Sequence, residues 1–132
     1  MKDKSDLVAA MFRKAESDLR NADLCLAAGE ALDTACFHAQ QAAEKALKAY
    51  LTAHEIEFPF IHNIEKLVDI CAGRDPSFRG LLGRAQELTP YAVELRYDAE
   101  FWPTEDEASR ALALGMDVVA FVRERLPKEF LP

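Results

Sequence analysis

One short stretch, FHAQQAAEKALKAYL from Phe37 to Leu51, carries a histidine, an amide and two lysines at helical spacing. Turning by about 100° per residue, it brings His38, Gln41, Lys45, Lys48 and then Thr52 within an arc of about 80°. Ammonium and amide groups so aligned can bind phosphate oxygens, and an imidazole can exchange a proton near neutral pH. Further along stands Arg96-Tyr97, whose guanidinium can take an oxyanion bidentately while the phenol stacks on a base.

Each of these residues also has a plain structural reading. Lys45 and Lys48 could be solvated, with Lys48 paired to Glu44 four residues before it. His38 and Gln41 could bond a loop or a facing subunit. Arg96 could cap its own helix or pair with Asp98 or Glu100. His62 reads as structural, bonding a carbonyl or packing on Phe60. His38, His54, His62 and the three cysteines offer no metal-ligand spacing, and nothing in the chain calls for a cofactor.

Five helical segments must position these groups. The first spans about 5–28 with Val8, Met11, Ala15, Leu19, Ala22 and Leu26 on one stripe, and Gly29 stops it. Asp33 then offers an N-cap for a second helix reaching about His54. In that helix Ala35, Ala39, Ala42, Ala46, Ala49 and Ala53 form a narrow stripe, beside a strip of Cys36, Ala43, Leu47, Tyr50 and Leu51. The segment around Pro59 is extended or turn-like, and Asn63 caps a short third helix that stops at Gly73. Asp75-Pro76 opens a fourth, which Pro90 kinks or restarts, with Thr89 as cap and Arg96 near its end. After the loop YDAEFWP, Thr104 and Glu107 form a capping box. The last helix sets Ala108, Ala111, Gly115, Val118 and Val122 on one stripe and stops before Pro127.

These segments predict an all-α antiparallel up-and-down bundle of four or five helices, one domain over residues 1–132. The small residues on the second and last helices predict that these two approach closely. Phe58, Phe60, Phe101 and Trp102 fall in loops, where they cover the bundle's ends or meet another subunit. Val118, Val119, Phe121 and Val122 make the last helix apolar around much of its girth, in part core and in part a dimer contact.

The chain has 132 residues and a net charge of −7, which argues against a broad electrostatic grip on nucleic acid or anionic lipid. Any phosphate recognition must come from a local cluster. No apolar run is long enough for a membrane span, and MKDKSDL lacks the apolar core of a signal peptide. Cys25, Cys36 and Cys71 read as reduced core thiols, and the expected location is the cytoplasm.

The helix FHAQQAAEKALKAYL, the proline loop leading into His62-Asn63-Ile64, and Arg96-Tyr97 together resemble the HEPN family, the nucleotide-binding domains of higher eukaryotes and prokaryotes. The resemblance runs from about Ala9 to Leu126. It implies a helical bundle, commonly a homodimer, in one of three roles: a metal-independent RNase toxin of a toxin–antitoxin pair, the partner of a minimal nucleotidyltransferase, or a nucleotide-binding accessory domain. The RNases of the family carry a histidine four to six residues after an arginine. Here Arg96 is followed by YDAEFWP, and no histidine occurs after His62. The missing imidazole removes the general base where the family places it. The expectation is therefore a non-nucleolytic binding module, partner of a minimal nucleotidyltransferase, with a nucleotide or phosphate at His38, Gln41, Lys45, Lys48, Arg96 and Tyr97. The alternative is an RNase whose base is His38, His62, or an acid among Asp98 and Glu100.

Overall fold

A computed structural model describes residues 3–132. It contains five α-helices and, among the described residues, no strand: α1 (Lys4–Ala28), α2 (Leu32–Ala53), α3 (Ile64–Arg74), α4 (Leu82–Leu88) and α5 (Glu105–Arg125). The fold class is the expected one. α2 lies at the centre, flanked by α1 and α5, with α3 and α4 closing the remaining side. Thirteen of its residues are buried, including every alanine of the expected stripe and the whole strip from Cys36 to Leu51. A helix enclosed on so many sides has little solvated surface left for its polar residues.

The turn between α1 and α2 is tight because Gly29 takes a left-handed conformation (φ 68°), with Glu30 N–H bonded to the Cys25 carbonyl. Ala31 is also left-handed (φ 52°), and it, not Asp33, stands at the N-cap of α2. The hairpin geometry starts the helix at Leu32, so Asp33 falls in the first turn, where the helix dipole still favours an acid. On α1 the buried line is Val8, Phe12, Ala15, Asp18 and Ala22, while Met11, Leu19 and Leu26 lie at its border.

Asn63 caps α3 through Lys66 N–H, and Thr104 with Glu107 forms the reciprocal box at the head of α5. The stretch after Asp75 differs from expectation. Pro76–Leu81 is a 3-10 turn before α4, and Thr89–Tyr91 is another after it. Thr89 caps no helix of its own. Its hydroxyl donates to Ala85 O and accepts from Ile64 N–H, tying α4 to the start of α3. Pro90 removes a donor, and the chain proceeds through turns to Arg96 in place of a restarted helix. Of the four loop aromatics, Phe58 and Phe101 pack against the core, whereas Phe60 and Trp102 are exposed.

Cys36 and Cys71 are buried thiols, pushed by burial to about 11 and about 12, and Cys25 is half-buried; none is in a disulfide. No helix among the described residues is long and apolar enough to cross a membrane.

The close approach of α2 and α5 is most demanding at Gly115. A Cβ there would meet Ala39 O at 2.8 Å, a backbone atom that cannot swing aside. Gly115→Ala should therefore lose about 1–3 kcal/mol despite the better helix propensity of alanine. Gly83, with nothing within 4 Å of such a Cβ, provides the contrast. Gly83→Ala should gain up to about 1 kcal/mol. Urea unfolding of the two variants measures both.

Candidate functional site on helix α2

Two buried carboxylates organise the polar side of α2. Asp18 reaches across from α1 and is only 7% exposed. His38 Nδ1 lies 2.8 Å from one of its oxygens and Lys45 Nζ 2.6 Å from the other. An ionised carboxylate can only accept, so Nδ1 carries the proton of this bond and Nε2 faces away from Asp18. Glu44, 4% exposed, is the second centre. It accepts from Lys48 Nζ at 3.1 Å, from His62 Nδ1 at 3.0 Å and from Gln40 Nε2 at 3.1 Å.

Gln40 has no exposed surface, yet both its amide hydrogens and its oxygen are bonded. Its amide nitrogen also donates to His62 O, and its oxygen accepts from Gln41 Nε2 at 2.7 Å. Among the described residues no buried side-chain nitrogen or oxygen lacks a partner. This bonding fastens the 55–63 loop to the middle of α2. Phe58 and Phe60 then place their rings 5.8 and 5.6 Å from Lys48 Nζ.

The six residues singled out in the sequence do not form one cluster. His38 and Lys45 share Asp18; Gln41 and Lys48 belong to the network around Gln40 and Glu44. Arg96 stacks on the Phe37 ring at 4.1 Å from its centroid, with the Tyr97 ring at 5.3 Å. At about 1.5 Å per residue, Lys45 and Lys48 lie roughly 12 and 16 Å along α2 from Phe37. His38 is nearer: its ring is 5.4 Å from Phe37. Arg96 pairs with no carboxylate among the described residues, neither Asp98 nor Glu100 included. The two ammonium groups are thus already balanced by acids, and of these six residues Arg96 is the cation without an acid partner.

Asp18 and Gln40 are functional to this arrangement and were missed in the sequence reading, which named Glu44 only as a partner for Lys48. A signal for them exists. Asp18 sits on the apolar line of α1, three residues after Ala15 and four before Ala22, and Gln40 and Glu44 continue the line of Leu47 and Leu51. An acid on a buried stripe must find a cation. Among the described residues no group of three or more His, Cys, Asp or Glu side chains is placed to hold a metal ion.

The two centres differ in exposure: Lys48 is 15% exposed against 35% for Lys45. Glu44→Ala, which strands a largely buried ammonium and frees the 55–63 loop, should cost about 3 kcal/mol. Lys48→Ala should cost nearly as much. Lys45→Ala should cost less, about 1–2 kcal/mol, since His38 continues to satisfy Asp18. Thermal denaturation of the three variants gives the ranking, and hydrogen exchange in the 55–63 loop should rise in the first.

Comparison with known proteins gives a consistent result. The HEPN domain family model matches residues 8–125. Among solved structures, an archaeal HEPN homologue superposes with a TM-score of 0.73 at 26% identity, covering 95% of this chain and 98% of its own. A protein from Thermus thermophilus gives 0.74 at 31% identity, covering 90% and 98%. An HEPN domain protein from Thermotoga maritima gives 0.74 at 24% identity with the same coverages, a likeness of fold. No functionally curated protein matches. A family match over nearly the whole length, carried on a bundle of the same shape, places this chain in the HEPN domain family.

Proposed function

We propose that the chain is a binding module, the partner of a minimal nucleotidyltransferase, and that it holds a nucleotide at the Phe37 end of α2. The carrying observation is the guanidinium of Arg96: over the Phe37 ring at 4.1 Å from its centroid, beside an exposed Tyr97, and without a carboxylate partner among the described residues. A phosphate would bond Arg96 in plane, and Tyr97 would stack on the base. Lys45 and Lys48, committed to Asp18 and Glu44, support the site by holding its walls and add little net charge. Phe60, Val93, Tyr97 and Trp102 are exposed on the loops, and Val93 lines a hollow with His62, apolar surface suited to a protein partner.

Removing one charge-assisted bidentate contact should weaken nucleotide binding about ten- to a hundredfold. Calorimetric titration of AMP and ATP into wild type and Arg96→Ala reads this directly. Absence of heat from the wild-type protein eliminates the nucleotide while leaving the protein partner to be tested by co-purification.

A second reading draws support from His38. Asp18 orients the ring through Nδ1, which leaves Nε2 facing away, and both His38 and Arg96 lie against Phe37. That is the disposition of a general base beside a phosphate-binding cation. A cleavage assay on RNA with metal-free protein separates the readings. Cutting that disappears in both His38→Ala and Arg96→Ala would establish an RNase; inert wild-type protein leaves the binding module.

We further propose a homodimer joined through the groove between α1 and α5, an apolar hollow of about 480 Å³ lined by Leu19, Leu112, Met116 and Val119. Glu16–Arg123 and Arg20–Asp23 edge it with both signs of charge, so a second copy related by a twofold axis can meet acid with base. Met116, 52% exposed, tests this. Met116→Asp should yield a monomer in sedimentation velocity where the wild type runs as a dimer.

A further inference from the structure

The far end of α2 carries a second set of groups that the site above does not use. His54 lies about 25 Å along the helix from Phe37. There α2, α3 and α5 all terminate, and Tyr50, His54, Arg74, Asp75 and Arg125 enclose a hollow of about 420 Å³.

Its walls are fixed by aromatic packing. The Tyr50 ring lies 4.6 Å from His54 and 4.5 Å from Phe78. Arg125 lies flat on Phe121, 3.4 Å from the ring centroid. Its Nη1 donates to Phe121 O, its Nε donates to Ser77 Oγ, and Asp75 stands 3.6 Å away. Arg125 is thus held against the wall by these bonds.

Arg74 is different. It is exposed at the end of α3 and, among the described residues, donates to no carbonyl and pairs with no carboxylate. A cation serving only to offset the carbonyl end of its helix would be expected to touch those carbonyls, as Arg125 does on α5. The groups facing His54 are Lys4 from α1, Arg74 and Asp75 from the end of α3, and Arg125 from α5. Asp75 and Glu124 lie 3.6 and 3.7 Å from Arg125, and Lys4 is drawn 3.6 Å from Glu55. Both acids beside the hollow thus sit against Arg125, and Arg74 has no carboxylate within 4 Å among the described residues. Burial, then Arg74 and Lys4, hold His54 below the usual histidine range, and burial raises the Tyr50 phenol against the pull of Arg74. Tyr50 therefore stays an O–H donor.

We propose that this hollow is an anion site taking a phosphate group, bonded by Arg74 and the Tyr50 hydroxyl, contacted by His54 and backed by the fixed charge of Arg125. The occupant is a phosphate because its oxygens can accept from a planar fork and a hydroxyl together. The site stands apart from Arg96 and does not depend on how that residue is used.

The chain has three histidines, so its imidazole NMR spectrum holds three side chains, and His54→Gln identifies one of them. Inorganic phosphate titrated at constant ionic strength should shift the His54 resonances and raise their titration midpoint, because a bound anion favours the imidazolium. Arg74→Gln should weaken that response about tenfold, and Arg96→Ala should leave it intact. A parallel titration with AMP separates sources: tighter binding than phosphate assigns the group to a nucleotide, equal binding to the free ion. A response confined to His38 or His62, a still spectrum, or an undiminished His54 shift in Arg74→Gln each overturns the assignment.

Discussion

Everything on the polar side of this molecule follows from how deeply α2 is buried. Gly115 brings the α5 backbone against Ala39, and α1 covers the opposite flank. Small side chains permit that proximity, and proximity excludes water from positions that an isolated helix would leave wet. Charged residues on such a helix cannot stand alone. Asp18 and Glu44 are consequently not decorations on a solvated face but the counter-ions without which Lys45 and Lys48 could not occupy theirs.

The same constraint sorts the site's cations into two kinds. Those on α2 have acids within hydrogen-bond distance and are spent on holding helix to helix and loop to helix. The free one comes from outside the helix, on the turn after α4, where Pro90 has ended regular structure and the chain can lay Arg96 over Phe37. A strongly acidic protein can offer an anion only a local welcome. In the site proposed above, Arg96 would do so through a planar group held against an aromatic ring, a mode that survives a repulsive overall field because it acts at contact distance.

Much of the architecture was legible in the residue order. The alanine stripe of α2, the Ala/Gly stripe of α5, the Asn63 cap and the Thr104–Glu107 box all appear where their patterns put them. Patterns of this kind are local, since a cap or a stripe depends on neighbours within one or two turns. Errors arose where a long-range contact overrode local preference. Asp33 lost the cap of α2 to the hairpin geometry at Gly29 and Ala31, and Thr89 was drawn into bonding Ile64, 25 residues earlier.

By itself, then, the amino-acid order determined an all-helical chain, the ends of α1 and α5, the small-residue contact surfaces, and a family resemblance resting on the Gln-Gln helix and the Arg-Tyr pair. Only the tertiary structure decided which charges are free. Asp18 meets Lys45 across 27 positions, and His62 meets Glu44 across 18, distances over which periodicity carries no information. Coulomb pairing between elements depends on which faces are pressed together, and that is fixed by packing of the whole core at once.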